Sequence, residues 1–260
     1  TGSPFVDVSI AGMYLTNGYV SRAEEWYGKA ITDCPTYTDA YTKLGDIALK
    51  RGQVADARDM YNKALKLTPN LFTTMMNLAN LYQSRGEYEE AEKLYKRVLK
   101  IRPDAAMAYN NLGNTYANMR RYNDAVRCYK KAIKLSPYSG MAYNDLGAFY
   151  LGRGDIPAAK RMLRKFLKVQ PDSPIGYFNL AFAYERAGDY NTALADYIRA
   201  AELEPEFGSA WQRIIALQFE LGHDEDAMNT LTKMELASPK LKPLVARIRR
   251  ERNLEDPSKQ

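Results

Sequence analysis

The sequence predicts an all-α protein, an α-solenoid of seven helix pairs, and three observations support this prediction. Prolines recur at a constant spacing of 34 residues. Between successive prolines, apolar residues recur at the spacing of one helix face. A glycine separates the two helical stretches in six of the seven repeats, and the proline ends the second stretch. The prolines are Pro35, Pro69, Pro103, Pro137, Pro171, Pro205 and Pro239.

Several residue columns recur along this period and define the repeats. Position 7 is leucine or isoleucine throughout, and position 20 is always alanine. Small residues at positions 8 and 20 are expected to let the paired helices approach closely, while aromatic residues, common at positions 4, 11 and 24, fill the remaining gaps. Position 15 is glycine except in the fourth repeat, which has Arg120. The repeats are residues 4–37, 38–71, 72–105, 106–139, 140–173, 174–207 and 208–241.

This set of columns resembles the tetratricopeptide repeat family. In the fourth repeat the first helix carries Tyr109, Leu112 and Tyr116, and the second carries alanine, tyrosine and alanine before the proline. The resemblance covers residues 4–241. It implies a right-handed superhelix whose first helices line a concave groove, and a role in protein–protein interaction.

Both ends of the chain depart from the repeat pattern. Residues 1–17 deviate most, with Asp7 where an aromatic residue is expected. Residues 242–253 are predicted to form a C-terminal capping helix, and residues 254–260 are expected to be disordered. The capping helix is predicted because four apolar residues fall on one face of a polar helix: Leu241, Leu244, Val245 and Ile248.

Asparagines concentrate at the positions that the resemblance assigns to the groove, namely 2, 5, 6, 9, 12 and 13 of the first helix. The stretch AYNNLGNTYANM, residues 108–119, contains four asparagines although asparagine is a mediocre helix former. Replacing Asn111 and Asn114 by alanine is therefore expected to leave the helix intact or firmer. The groove asparagines are Asn77, Asn80, Asn110, Asn111, Asn114, Asn118, Asn144 and Asn179.

These asparagines predict a track for an extended peptide. A side-chain amide can pair with both the N–H and the C=O of an extended backbone, so such pairing does not depend on the peptide's sequence. The row resembles, in part, the asparagine ladder of O-linked GlcNAc transferases. The alternative is that these amides bond to the backbone of the next repeat.

Apolar residues add a second groove feature in the sixth repeat. Ile175, Phe178 and Phe182 are predicted to form an apolar stripe there, although packing between repeats would explain them equally. Binding of heat-shock protein C-termini is not expected. The two-carboxylate clamp of such proteins needs basic residues where this chain has Met141 and Asp145.

The second helices carry a basic outer face. The chain has a net charge of +6, and basic residues recur at i, i+3, i+4 and i+7 in three successive repeats. Such a face could attract nucleic acid or another anionic surface, but a solvated helix surface is the favoured interpretation. The basic patch comprises Lys96, Arg97, Lys130, Lys131, Arg164 and Lys165.

The sequence predicts no enzyme activity, no cofactor and no metal. The chain has two cysteines, Cys34 and Cys128, without metal-ligand spacing, and a single histidine, His223, in a repeat turn. The glycines lie at repeat turns and in helices rather than in a phosphate-binding loop. No run of about 18 apolar residues predicts a membrane span. Localisation stays open between the cytoplasm and, if the chain is trimmed, a periplasmic or membrane-anchored form.

Three functions are therefore compatible with the sequence. The first is a scaffold that binds an extended segment of a partner protein in its groove. The second is the repeat region of a larger enzyme, such as an O-linked GlcNAc transferase, that recruits substrates. The third is a bacterial envelope lipoprotein that assists pilus or secretin assembly.

Overall fold

The structure, a computed structural model, describes residues 3–252 and 254, and all regular secondary structure in this part is helical. First helices begin at position 1 of each repeat and second helices at position 17, so one 34-residue period sets both starts. The helices are α1 Pro4–Thr16, α2 Val20–Asp33, α3 Thr38–Lys50, α4 Val54–Leu67, α5 Phe72–Ser84, α6 Tyr88–Ile101, α7 Ala106–Asn118, α8 Tyr122–Leu135, α9 Gly140–Gly152, α10 Ile156–Val169, α11 Pro174–Glu185, α12 Tyr190–Leu203, α13 Gly208–Glu220, α14 Asp224–Ala237 and α15 Lys242–Glu251.

The chain forms two compact units, Thr1–Leu135 and Ser136–Gln260, called here the N-terminal and C-terminal halves. In the N-terminal half the two helices of each repeat pack together, and α2, α4 and α6 also pack on the first helix of the next repeat. The alanines of position 20 and the tyrosines of position 24 form the centre of this packing. None of these side chains is more than 2% exposed: Ala23, Ala57, Ala91, Ala125, Tyr27, Tyr61, Tyr95 and Tyr129.

In the second and fourth repeats, the glycine at position 8 lies directly against the tyrosine ring at position 24. A Cβ atom on Gly45 would lie 2.6 Å from Cε1 of Tyr61, and one on Gly113 would lie 2.8 Å from Cε1 of Tyr129. Real Cβ atoms do not approach a ring carbon so closely. The expected close approach of the two helices is therefore confirmed at these repeats, and it places the tyrosine ring against the backbone of the first helix.

The C-terminal half repeats this arrangement with more aliphatic residues, and α15 covers its last repeat. Position 24 is Leu163 in the fifth repeat and Leu231 in the seventh, both fully buried. Val245 and Ile248 of α15 lie in one apolar cluster with Leu231 and Met234 of α14. A short 3₁₀ helix, Pro239–Leu241, precedes α15. Most of the tail predicted to be disordered, residues 255–260, lies outside the described residues, as does residue 253 of the predicted capping helix.

The turn between paired helices requires a left-handed backbone. The six glycines of position 15 have φ between +74° and +81°. Arg120, which replaces glycine in the fourth repeat, has φ of +59° and is the one residue other than glycine with positive φ in the described part of the chain. Arg120 therefore adopts the left-handed backbone conformation of the glycines that it replaces.

Candidate peptide-binding face

Side-chain hydrogen bonds link successive first helices in the N-terminal half. The tyrosine at position 24 and the residue at position 6 of the next repeat both donate to the residue at position 9. In the second repeat, Oδ1 of Asp46 accepts from Oη of Tyr61 at 2.8 Å and from Nδ2 of Asn77 at 2.7 Å. One acceptor therefore joins a buried tyrosine to position 6 of the neighbouring first helix.

The same link recurs one repeat later with an asparagine as the acceptor. Oδ1 of Asn80 accepts from Oη of Tyr95 at 2.6 Å and from Nδ2 of Asn111 at 2.8 Å. In the fourth repeat, Oη of Tyr129 donates to Oδ1 of Asn114 at 2.5 Å. Oη of Tyr95 also lies 2.8 Å from Oε1 of Gln83, so its one proton is shared between two acceptors, and it is the bond from Asn111 that orients the Asn80 amide with Nδ2 facing the other way.

Three of these asparagines bond to other side chains, and a fourth bonds to the backbone of its own helix rather than to the backbone of the next repeat. The amides of Asn77, Asn80 and Asn111 bond to side chains across repeats, while Nδ2 of Asn118 bonds to the carbonyl of Asn114 within its own helix. Asn110 is 2% exposed, so its side chain lies in the repeat packing and lacks the surface that a ligand would need.

Sequence reasoning missed the tyrosine at position 24 as the partner of position 9. A signal was present in the chain itself. Position 9 is polar in the second, third and fourth repeats, where position 24 is tyrosine, and it is Ala148 or Ala216 in the two repeats where position 24 is leucine. A buried hydroxyl needs a hydrogen-bond partner, whereas a buried leucine does not.

The C-terminal half contains related links with different residues. Nδ2 of Asn179 donates to Oδ1 of Asn144 at 2.9 Å. In the sixth repeat, Oη of Tyr197 donates to Oε2 of Glu185 at 2.7 Å, and Nη2 of Arg213 lies 3.1 Å from Oε1 of the same carboxylate. Glu185 therefore replaces the position 9 acceptor in a repeat where position 9 is Phe182.

The predicted apolar stripe is largely used in packing. Phe178 makes ring contacts with Tyr197 at 5.3 Å and with Phe207 at 5.0 Å, and Phe182 is half-buried against the same core cluster. Ile175 remains 44% exposed. Of the three residues, Ile175 is the most exposed.

Position 2 of the first helix supplies further exposed apolar side chains. Met107 in the N-terminal half is 56% exposed, and Met141 in the C-terminal half is 46% exposed. Together with Ile175, they occupy the same position in three successive repeats. Exposed methionine adapts its shape to irregular apolar partners, so position 2 can anchor a ligand side chain.

Three residues of the predicted basic patch are already paired within the protein. Nζ of Lys96 lies 2.6 Å from Oε1 of Glu92, Nη2 of Arg97 donates to the carbonyl of Pro69, and Nη2 of Arg164 donates to Oη of Tyr184 at 2.6 Å. The other three residues are exposed: Lys130, Lys131 and Lys165.

A charge network around Glu92 ties the third repeat to the fourth. Burial alone would raise the pKa of Glu92, but hydrogen bonds from Lys96, Tyr116 and Arg121 outweigh it and hold the pKa below its usual value. Nη1 of Arg121 lies 3.0 Å from Oε1 of Glu92, and its guanidinium stacks 4.2 Å from the ring centroid of Tyr116. These basic residues therefore serve the repeat packing.

The residues considered for chemistry are not brought together. Burial raises the pKa of the Cys128 thiol to about 11, which disfavours the reactive thiolate, and His223 is an exposed residue at the start of α14. Among the described residues, no group of three or more histidine, cysteine or acidic side chains could hold a metal ion. No helix in the described ranges is long and apolar enough to cross a membrane.

Comparison with solved structures shows a repeat fold. A tetratricopeptide repeat protein from Parabacteroides merdae aligns with a TM-score of 0.73 at 21% identity, covering 94% of this chain and 96% of that one. MamA aligns with a TM-score of 0.54 at 27% identity, covering 65% and 92%. PilW, described as a type IV pilus biogenesis factor, aligns with a TM-score of 0.67 at 19% identity, covering 76% and 92%. The likeness to PilW is one of fold alone.

Comparison with sequence families identifies the repeats directly. No curated protein matches the chain. A profile of the tetratricopeptide repeat matches residues 36–104, 70–137 and 104–172, and a second profile of the same repeat matches residues 174–207. These matches cover more than half of the chain and agree with the paired helices of the structure, so the chain belongs to the tetratricopeptide repeat family, whose members are typically protein-interaction scaffolds.

Proposed function

We propose that the chain is a non-catalytic scaffold that binds an extended segment of a partner protein across the first helices of its repeats. In the N-terminal half the segment lies across α5 and α7, where Asn80 and Asn111 face the groove. The observation that supports this proposal is the hydrogen bond from Nδ2 of Asn111 to Oδ1 of Asn80, which orients both amides.

The hydrogen bonds leave complementary groups available on the two side chains. Oδ1 of Asn80 is occupied by Tyr95 and Asn111, which leaves the two N–H groups of Nδ2 for a ligand. Asn111 uses Nδ2 to donate to Asn80, which leaves its own Oδ1 as an acceptor. An extended backbone offers a C=O to the first group and an N–H to the second. Because the amides are held in place, little side-chain entropy is lost on binding.

Exposed apolar residues at position 2 would add selectivity to this backbone pairing. Met107 lies at the start of α7, on the helix that also carries Asn111. It is 56% exposed, so burial by an apolar ligand side chain would be favourable. The binding segment is therefore expected to be extended, with an apolar residue near the point where it crosses α7.

The replacement Asn80→Asp tests the proposal with little disturbance to the fold. Aspartate keeps an Oδ1 acceptor for Tyr95 and Asn111, but it replaces the N–H donors with a second acceptor that repels a peptide carbonyl. The chain already uses this arrangement, since Asp46 accepts the equivalent two bonds in the preceding repeat. We therefore expect a melting temperature close to that of the wild type.

Binding would be measured with peptides selected on the wild-type protein from a phage-displayed random library. Fluorescence anisotropy should show a loss of at least about tenfold in affinity for Asn80→Asp, equivalent to about 1.4 kcal/mol. The control Lys130→Glu with Lys131→Glu changes the outer face of α8 and should leave affinity unchanged at moderate salt. Equal affinity for Asn80→Asp, or loss of binding in the control, would place the site elsewhere.

A further inference from the structure

The second helix of the fifth repeat, α10, differs from every other second helix in its charge. It carries five basic residues in fourteen and no acidic residue, whereas each of the other six second helices contains at least one aspartate or glutamate. The buried face of α10 is apolar and includes Ala159, Leu163 and Phe166. The basic residues lie away from this face, on the sides of the helix that the repeat packing leaves uncovered.

Three of these basic residues have no partner of opposite charge. Arg161, Lys165 and Lys168 are exposed, and no acidic side chain in the described part of the chain lies within ion-pair distance of them. Arg164 differs, because its Nη2 donates to Oη of Tyr184 at 2.6 Å. The three unpaired residues are called here the α10 row.

The next second helix, α12, neutralises its basic residue within the helix, but α10 does not. Nη1 of Arg199 lies 3.2 Å from Oε2 of Glu202. In α10, by contrast, Lys165 follows Arg161 by four residues and precedes Lys168 by three, so like charges repel on one helix face. A local cost that no contact within the fold offsets is expected where side chains serve binding.

The geometry of the α10 row fits a short acidic segment. Its three charged residues span about 10.5 Å along the helix axis, with about 6 Å between the first two. Acidic side chains at i, i+4 and i+7 of a second helix have the same spacing, so each can meet one basic residue of the row. Carboxylates form charge-assisted hydrogen bonds with both arginine and lysine.

The surroundings of the row favour a protein segment over a longer polyanion or a lipid surface. Asp155 lies immediately before α10 and Asp172 lies shortly after its end, and both are exposed. Their charges would repel the phosphates of a nucleic acid or an anionic lipid surface that continues beyond the row. The large apolar residues of α10 are buried or half-buried, so none is presented for insertion into a membrane.

We propose that the α10 row is a second interaction site, separate from the groove, and that it binds an acidic segment of a partner protein. The segment carries three carboxylates at helical spacing, one for each of Arg161, Lys165 and Lys168. Because these ion pairs form at the protein surface, salt should weaken the binding.

Peptide selection with a depletion step tests the proposal. A phage-displayed random library is depleted on the variant Arg161→Glu with Lys165→Glu, called here the α10 variant, and is then selected on the wild type. The selected peptides should contain at least three acidic residues within about eight positions. Fluorescence anisotropy should show a loss of at least about tenfold in their affinity for the α10 variant. Peptides without acidic residues would overturn the proposal.

A charge-matched variant separates the row from the overall charge of the protein. The control Lys233→Glu with Lys242→Glu reverses two exposed basic residues on α14 and α15 and lowers the net charge by the same amount. It should bind the selected peptides like the wild type, and so should Asn80→Asp, which alters the groove. Equal losses in the control and the α10 variant would mean that overall charge explains the binding, and would overturn the proposal.

Two further probes test the class of partner. An oligothymidylate of about twenty nucleotides and vesicles of phosphatidylserine and phosphatidylcholine are both anionic, and they should bind the α10 variant and its control equally. A loss confined to the α10 variant with either probe would identify the wrong class of partner. The uncharged variant Arg161→Gln with Lys165→Gln should keep the wild-type melting temperature and still lose affinity for the peptides; unchanged affinity would overturn the proposal.

Discussion

Asp196 is a half-buried acidic residue on α12, and burial disfavours the charged form of its carboxyl group. Burial raises the pKa of Asp196 to about 6, the charge of Asp189 adds to this effect, and the charge of Arg164 opposes it. A carboxyl group whose folded pKa lies above its unfolded value binds more protons in the folded state between those two values. Its contribution to stability is therefore favourable near pH 4 and declines as the pH rises through about 6.

Asp196→Asn is expected to stabilise the protein at pH 7.5, because the amide removes a charge that burial disfavours. The gain should shrink as the pH falls and disappear near pH 4, where the wild-type carboxyl is protonated in the folded state. Urea unfolding at a series of pH values measures this difference. The exposed Asp172→Asn serves as control and should stay within about 0.5 kcal/mol of the wild type throughout. A gain that is independent of pH would contradict the assignment.

Single residues show where sequence reasoning reached its limit. Helix propensity alone indicated that Asn114→Ala would firm the helix by about 0.5 kcal/mol. The structure gives Asn114 a hydrogen bond from Tyr129, which propensity does not take into account. Propensity is a local property of the sequence, whereas this bond joins residues that are distant along the chain.

At the scale of helices and turns, the fourth repeat stores strain that the other six avoid. Arg120 has φ of +59° at the position where the other repeats have glycine. The left-handed conformation costs a residue with a side chain about 1–2 kcal/mol. Replacing Arg120 by glycine would remove this cost. The greater conformational freedom of glycine in the unfolded chain would offset about 0.4–1 kcal/mol of that gain.

Arg120→Gly should therefore raise the free energy of unfolding by about 0.5–1 kcal/mol, which corresponds to a rise of roughly 2 °C in melting temperature. The matched control is Arg85→Gly, one position earlier in the turn of the preceding repeat, where φ is −91° and no strain is present. That replacement should lower stability, because glycine only adds freedom to the unfolded state. Calorimetry that finds Arg120→Gly neutral or destabilising would show that the arginine side chain offsets its own strain.

The helices themselves could be predicted well because their signals are local. A glycine with positive φ ends each first helix in six repeats, and a proline lies two residues after the end of each second helix, as between Ile101 and Pro103. The exposure of individual face residues could not be predicted so well. Asn110 and Phe178 fall at groove positions by number, yet both are drawn into packing with neighbouring elements whose contacts the repeat period does not specify.

For the molecule as a whole, stability is a sum over repeats and the interfaces between neighbours. The last interface of the described chain is closed by α15, where Val245 is 1% exposed and lies in one apolar cluster with Ile215 and Leu231. A charge introduced there is buried without a partner, and burying it is costly. The loss should remain near α15, because distant repeats share no contact with it.

Val245→Asp is expected to increase hydrogen exchange in α13 and α14 while leaving protection in α3 to α7 unchanged. The neighbouring Ala246→Asp is the control, since Ala246 is exposed on the same helix and should tolerate a carboxylate. Exchange measured by mass spectrometry separates these outcomes. A uniform loss of protection along the chain would mean that the repeats unfold as one cooperative body.

The residues at positions 6 and 9 are interchangeable hydrogen-bond partners, so the array should tolerate the deletion or duplication of whole repeats. Excision of residues 72–105 would join the second repeat to the fourth without changing the phase of any helix. Asn111 would then meet Asp46, an acceptor that already receives the same kind of bond from Asn77, while Tyr61 would keep its own partner. The chain can therefore lengthen or shorten in steps of 34 residues by duplication or loss, and each new junction would reuse a contact that the protein already makes.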